Sequence, residues 1–215
     1  MCVGGVQVIA ERPDEYRAGD HTYWKDGLRV PGFSEIAAAM GMVSFDRIPR
    51  EVLMRARDVG QAVHMATQFH DEGRLDRSTV SPEIDAYLNA YLDFLESTGF
   101  QPVEIETPVM NVEYGYACTP DRVGTFRGHR STLAVVEIKK AMIADVHHCQ
   151  VEAQAICFKG SPSRNIIHLR PDGRWRPVPH DADVARYHRG IWLSAASVYH
   201  FNMKTKEDLW RRKAA

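Results

Sequence analysis

The spacing of hydrophobic residues changes near residue 100, and this change limits the folds that the chain can adopt. Before it, apolar residues recur at helical intervals, as in the stripe Ile84, Tyr87, Leu88, Tyr91, Leu92 and Leu95. After it, Val103, Ile105, Thr107 and Val109 alternate with other residues, which is typical of a strand. Helices followed by strands predict an α+β domain.

The predicted elements suit one domain of three parts. Residues 1–100 are predicted to be mainly helical, with a hairpin at the Asp26-Gly27 turn, helices capped by Ser34 and Ser81, and a helix over about 49–69. Gly99 is predicted to end the helix that Ser81 begins. Residues 101–181 are predicted to hold the sheet, with strands over 116–126 and 132–139 and a helix over 146–158. Residues 182–215 are predicted to form a helix over 182–203 and a basic tail. We therefore expect a mixed central β-sheet flanked by helices.

Composition and charge narrow the functional classes. No stretch reaches the roughly 20 apolar residues of a membrane span, so we expect no membrane partner and a cytoplasmic location. The net charge of −1 means that nucleic acid must be bound by a local basic patch. Two such groups occur in the sequence: Lys204, Lys206, Arg211, Arg212 and Lys213 in the tail, and Arg164, Arg170, Arg174 and Arg176 upstream. A solvated helix end explains the tail equally well.

The predicted strand over 132–139 ends in charged residues that are candidates for catalysis. In Val135-Val136-Glu137-Ile138-Lys139, alternation places Glu137 and Lys139 on one face and Ile138 on the other. If the preceding turn is centred on His129, Asp121 lies directly opposite Glu137, with Cβ atoms about 5 Å apart. Two carboxylates this close favour a bound divalent cation, and oxygen ligands favour Mg²⁺ or Mn²⁺. By itself, Glu-x-Lys on a strand also fits an exposed ion pair.

The order Pro120-Asp121 followed by Glu137-Ile138-Lys139 resembles the signature of the PD-(D/E)xK nuclease superfamily. The chain is most similar to the RecB-like and phage exonuclease branch, because a helix with Gly60 and His64 precedes the motif and Gln150 follows it. The resemblance extends from about Val30 to Leu169 and implies a restriction-endonuclease-like core. Many relatives carry an aromatic residue where this chain has Gln154, so the sequence departs from the family pattern at that position.

The resemblance implies roles for individual residues. The implied catalytic residues are Asp121, Glu137 and Lys139, and the implied metal ligands are Asp121, Glu137, Ile138, His64 and Glu106. Gln150, Gln154, Lys140 and Arg122 are predicted to bind substrate. Two of these residues have a simpler alternative: His64 as a hydrogen-bonded, semi-buried histidine, and Glu106 as a solvated carboxylate beside Glu104.

The expected function is that of a metal-dependent deoxyribonuclease, most simply an exonuclease acting on linear DNA with free ends in phage or bacterial recombination and repair. Such a nuclease could act as a homo-oligomer or together with a recombination partner protein. One alternative is a nuclease fold that binds nucleic acid or a partner protein without catalysis. Another is a metal-dependent hydrolase of a different fold, which would require that Asp121 and Glu137 are not paired.

Overall fold

The computed structural model describes residues 2–3, 6–46 and 48–214, with side chains in residues 8–46 and 48–204. The strands are β1 (Cys2–Val3), β2 (Val6–Gln7), β3 (Glu15–Arg17), β4 (Thr22–Lys25), β5 (Leu28–Val30), β6 (Gln101–Ile105), β7 (Val109–Asn111), β8 (Tyr116–Cys118), β9 (Arg122–Thr125), β10 (Ala134–Lys139), β11 (Ser163–Leu169) and β12 (Trp175–Val178). The helices are α1 (Phe33–Ala39), α2 (Arg50–Asp71), α3 (Pro82–Thr98), α4 (Asp145–Ala155) and α5 (Ala182–Ala214).

A mixed five-stranded sheet forms the centre of the protein. Its strand order is β12-β11-β10-β9-β6, in which β10 and β11 are parallel and the other neighbours are antiparallel. The parallel pair requires a crossover, and α4 provides it. The predicted α+β class with a mixed sheet flanked by helices is therefore confirmed.

Helices cover both faces of this sheet, so the central strand β10 is buried on each side. Val136 and Ile138 pack with Tyr91 of α3 in one hydrophobic cluster, while Val135 packs with Trp192 of α5 in another. This division follows from the alternation of side chains along β10. Glu137 and Lys139 share the face of Val135, toward α4 and α5, whereas Ile138 faces the opposite core.

The region before Asp121 differs from the sequence prediction. The single strand expected over 116–126 is two strands, β8 and β9, separated by Thr119-Pro120-Asp121. Pro120 explains the break, since proline cannot donate a ladder hydrogen bond. β8 pairs with β7 in a separate two-stranded sheet, so only β9 joins the central sheet. Asp121 consequently lies at the entrance to β9 and not within a strand.

Helix boundaries show where local sequence signals were sufficient. Ser81 caps α3 by accepting a hydrogen bond from the Ile84 amide, and Gly99 ends it in the left-handed conformation, as predicted. Ser34 does not cap α1, because the helix begins one residue earlier and Gly32 holds the N-cap position. α5 continues to Ala214, past the predicted end at residue 203. No helix among the described residues is both long enough and apolar enough to span a membrane.

The N-terminal part contains more strand than expected. The predicted hairpin is present as β4 and β5, joined through Asp26 and Gly27, which both have positive φ angles. β3 adds a third strand to this hairpin. The resulting three-stranded sheet forms one wall of the cleft described below.

Candidate metal centre and cleft

The pairing of β9 with β10 brings Asp121 beside Glu137. Ala134 lies opposite Gly124 and Val136 lies opposite Arg122, so the next pair in the same register is Glu137 with Asp121. This is the register predicted from a turn centred on His129. Asp121 is fixed there because its Oδ2 accepts a hydrogen bond of 2.6 Å from the Ile138 amide. The sheet therefore holds two buried carboxylates next to each other.

Glu137 is held by one donor at each of its oxygens. Lys139 Nζ donates to Oε1 at 2.6 Å, and Gln154 Nε2 donates to Oε2 at 2.6 Å. Lys139 Nζ also donates to Gln150 Oε1 at 3.1 Å. Gln150 and Gln154, four residues apart on α4, therefore lie on the same face of the helix. Gln154 is completely buried, and its Oε1 has no hydrogen-bond partner in the described part of the chain.

A second group of ligand-type atoms adjoins Asp121. His64 Nδ1 lies 3.4 Å from Asp121 Oδ1 and 3.6 Å from Glu106 Oε1. Ligand atoms of these three residues all lie within 4.8 Å of one another. Glu106 is separated from Glu104, which instead pairs with Arg12. Glu106 is partly exposed and contacts both His64 and Arg122, and His64 faces this carboxylate cluster.

The pKa values of the cluster reflect burial and crowding of negative charge. Burial raises the pKa of Asp121, and the carboxylate of Glu106 raises it further. Burial also raises the pKa of Glu137, and the nearby Asp121 adds to this effect. Burial by itself would lower the pKa values of His64 and Lys139, but the surrounding carboxylates outweigh it and raise both. The cluster thus has an excess of negative charge that a cation would relieve.

Arg122 does not contact the cleft, so its predicted role in substrate binding is corrected. Its side chain is completely buried, with Nε 2.5 Å from Asp71 Oδ2 and Nη1 3.3 Å from Glu106 Oε1. Nη1 also donates to the Asp121 carbonyl oxygen at 2.6 Å, and Nη2 donates to Thr67 Oγ1 at 3.1 Å. Arg122 therefore connects α2 with the two segments that carry Glu106 and Asp121, which makes it a positioning residue.

Two other predicted residues have restricted roles. Lys140 is not among the residues that line the cleft and instead packs against α2, where a Cβ atom at Gly60 would lie 3.3 Å from its Cε. The absence of a side chain at Gly60 thus permits the close approach of Lys140 to α2. The Ile138 side chain is buried in the apolar core. Only the main-chain carbonyl oxygen of Ile138 remains as a possible metal ligand.

The predicted basic patches receive little support from the described side chains. Arg164 pairs with Glu152, Arg170 and Arg174 both pair with Asp172, and Arg176 donates to His168. The first three arginines therefore form structural or surface ion pairs, and Arg176 forms a hydrogen bond with a histidine ring nitrogen. Lys204 is exposed, whereas Lys206, Arg211, Arg212 and Lys213 lie outside the described side chains.

Most of the predicted site residues, but not Arg122, Ile138 or Lys140, line a cleft of about 850 Å³. Its floor carries Glu106, Asp121, Glu137, Lys139, Gln150 and Gln154, and its walls come from the N-terminal sheet, α1 and α2. Four described non-glycine residues have positive φ angles, and two of them, His21 and Glu106, line this cleft. Backbone strain of this kind is concentrated at functional sites.

Sequence reasoning missed the residues that support the cluster from behind. Asp71 accepts hydrogen bonds from Arg122 and from the Tyr91 hydroxyl, and Thr67 contacts the same arginine. It also missed Tyr23, whose hydroxyl lies 3.0 Å from Thr119 Oγ1, two residues before Asp121. Asp71 and Thr67 are four residues apart on α2, and this spacing was the only available signal.

The donor set matches a divalent cation. Carboxylate oxygens from Asp121 and Glu106 and the carbonyl oxygen of Ile138 are ligand types that suit Mg²⁺ and Mn²⁺, whereas the imidazole nitrogen of His64 is a ligand type of transition metals. Glu137, also predicted as a ligand, lies outside this three-residue group, and its two oxygens accept hydrogen bonds from Lys139 and Gln154. The excess negative charge in the cluster supports the same interpretation.

Comparison with known proteins found no match to this arrangement. No family model matches the chain, and no curated protein is detectably similar to it. The functional conclusion therefore depends on the geometry and chemistry of the cleft.

Proposed function

We propose that this protein is a metal-dependent deoxyribonuclease that hydrolyses phosphodiester bonds, as an exonuclease acting on linear DNA. The observation that carries the proposal is the juxtaposition of Asp121 and Glu137 across β9 and β10, with Lys139 bound to Glu137 in the same cleft. The likeness of these residues to the PD-(D/E)xK motif supports the same activity. Both features suit metal-assisted hydrolysis of a phosphodiester, in which carboxylates hold the cation and a fixed ammonium group stabilises negative charge on the phosphate.

The residues at the floor of the cleft divide into metal ligands and a lysine that contacts the phosphate. Asp121, Glu106, His64 and Glu137 would hold Mg²⁺ or Mn²⁺, which supplies Lewis-acid stabilisation of the phosphate and a more acidic water. Lys139 presents an ammonium group whose position is fixed by Glu137 and Gln150. From there it donates a hydrogen bond to a phosphate oxygen, where negative charge increases as water attacks the phosphorus and the bond to the leaving oxygen breaks.

The experiment compares wild-type protein with two lysine variants on end-labelled DNA. Linear and closed circular substrates, single- and double-stranded, are incubated with Mn²⁺, Mg²⁺ or EDTA. We expect hydrolysis of linear DNA with either cation, none in EDTA, and a lower effective concentration for Mn²⁺ because an imidazole is among the ligands. Lys139→Ala should reduce the rate by at least about 100-fold, the usual effect of losing one such donor.

Lys159→Ala is the matched control, since Lys159 is exposed and does not line the cleft. It should retain full activity, and circular dichroism should show that both variants are folded. Equal rates for Lys139→Ala and wild type would refute the site. Rapid cleavage of closed circles would refute the requirement for DNA ends.

A further inference from the structure

We infer that the wall formed by Tyr16, His21 and Tyr23 is a nucleobase-stacking subsite, so that the strand to be cleaved enters the cleft unpaired. This inference rests on the proposed function and specifies its substrate as single-stranded DNA. All three side chains line the same cleft as the carboxylates and Lys139. The subsite therefore lies within one continuous cavity with the predicted metal ligands.

The tyrosine pair is a preorganised aromatic surface. The rings of Tyr16 and Tyr23 are stacked with centroids 5.0 Å apart and planes inclined by 21°. Tyr23 is buried, whereas Tyr16 is partly exposed. The Tyr16 hydroxyl lies 2.9 Å from His21 Nδ1, and this contact fixes the orientation of the outer ring. His21 reaches this position with a positive φ of 52°.

The connection to the catalytic floor is direct. The Tyr23 hydroxyl contacts Thr119 at 3.0 Å, and Thr119 immediately precedes Pro120-Asp121. A Cβ atom at Gly32 would lie 3.1 Å from the Tyr23 ring, so the absence of a side chain at Gly32 lets this tyrosine pack in place. The aromatic wall and Asp121 are thereby held in a fixed relation to each other.

The distribution of charged residues in the cleft indicates that its aromatic wall binds a nucleobase and not the phosphate backbone. Among the residues with described side chains, five carboxylates line the cleft but only two permanently charged cations do, Arg29 and Lys139. Arg29 is bound to Glu35 by two hydrogen bonds of 3.0 and 2.8 Å, which leaves Lys139 near the predicted metal ligands. Away from the metal centre, the described lining residues therefore include no unpaired lysine or arginine that could bind a phosphate. A neutral nucleobase is the part of a nucleotide that fits beside Tyr16.

Stacking on a protein ring requires a base that is not covered by its neighbours in a duplex. Aromatic stacking of this kind tolerates every base, because each has a π face, and contributes about 1–3 kcal/mol per base. A site that uses it selects the single-stranded form without reading sequence. The class of substrate is thus a single-stranded DNA end or overhang.

The test measures how Tyr16 affects cleavage and binding of a labelled single-stranded thymidine oligonucleotide. Tyr16→Leu preserves apolar packing on Tyr23 but removes the ring, and we expect it to raise KM by about 5- to 150-fold, the equivalent of one lost stack. Tyr16→Phe keeps the ring but loses the hydroxyl contact with His21, so its KM should lie between those of wild type and Tyr16→Leu. Tyr187→Leu, which changes an exposed tyrosine of α5 outside the cleft, is the matched control.

A substrate change provides the complementary measurement. An oligonucleotide with abasic terminal nucleotides should show the raised KM with wild-type protein and no further increase with Tyr16→Leu. The subsite is refuted if Tyr16→Leu leaves KM unchanged, if the abasic strand is cleaved as well as the normal one, or if blunt duplex is the better substrate.

Binding separates failure of the subsite from failure of the proposed function. Fluorescence anisotropy in the Lys139→Ala background with Mn²⁺ measures the oligonucleotide Kd without turnover. Weaker binding on Tyr16→Leu supports the subsite even if no DNA is hydrolysed. Hydrolysis by wild type together with a Kd that is independent of Tyr16 overturns the subsite and leaves the nuclease proposal intact.

Discussion

Replacing Arg122 with methionine should strongly destabilise the protein, because Arg122 is completely buried and forms an ion pair with a buried carboxylate. Its guanidinium group lies 2.5 Å from the buried carboxylate of Asp71 and also contacts Glu106. Methionine fills a similar volume but leaves Asp71 with the Tyr91 hydroxyl as its remaining described donor. Removing one partner of a buried ion pair costs about 3–5 kcal/mol. For a domain of this size, the melting temperature should fall by about 6–20 °C.

The assay is equilibrium unfolding in urea, followed by circular dichroism and performed in EDTA. Arg77→Met is the matched control, because Arg77 forms an exposed ion pair with Asp85 at 2.8 Å. Such surface pairs contribute about 1 kcal/mol or less. The double variant Arg122→Met/Asp71→Asn removes both charges and should be less destabilised than the sum of the single variants.

A loss of stability in Arg122→Met no greater than in Arg77→Met would refute this account of the buried network. Additive effects in the double variant would show that Arg122 and Asp71 are not coupled. Either result would also remove the assigned role of Arg122 in holding Glu106 and Asp121.

Two further measurements address charge in and near the cleft. Asp121→Asn should raise the stability of metal-free protein at pH 7 by on the order of 1 kcal/mol and abolish its thermal stabilisation by Mn²⁺, because it removes one of the crowded carboxylates. Burial raises the pKa of Asp121, so its unfavourable contribution is present above the unfolded pKa and should disappear as pH falls toward 4; a difference from wild type that grows at low pH would contradict this. Burial, with a smaller effect of Lys139, lowers the pKa of His147 to about 4, so the unfolded chain takes up this proton first and stability should fall between pH 6.5 and about 4. For a fully buried group, a pKa shift of this size corresponds to about 3 kcal/mol of unfolding free energy. Because His147 is partly exposed, solvent screening reduces the expected loss of stability to about 1 kcal/mol. His147→Gln retains an acceptor for the Ala144 amide but does not titrate, so its unfolding free energy should depend less on pH over this range; an unchanged pH profile would exclude His147 as the cause.

Local sequence signals determined much of this protein. The hydrophobic periods predicted α3 and β10, and the Ser81 and Gly99 signals fixed both ends of α3, because caps and periodicity act within a few residues. The hairpin register also followed from sequence: symmetry about His129 placed Asp121 opposite Glu137, which is the continuation of the observed pair Val136–Arg122. Alternation along β10 then put Glu137 and Lys139 on one face. The paired carboxylates and the adjacent lysine were therefore available without a structure.

Only the tertiary structure decided which charged side chains reach the cleft. Arg122 follows Asp121 in the sequence, yet the direction of its side chain buries it against Asp71 on α2, 51 residues away. Glu106 was indistinguishable from Glu104 by alternation, but its positive φ turns it toward His64, while Glu104 binds Arg12. The aromatic wall came from residues 15–30, whose packing beside Thr119 depends on contacts across nearly half the chain. Periodicity reports the two faces of one element, whereas the identity of each facing neighbour is set by long-range packing.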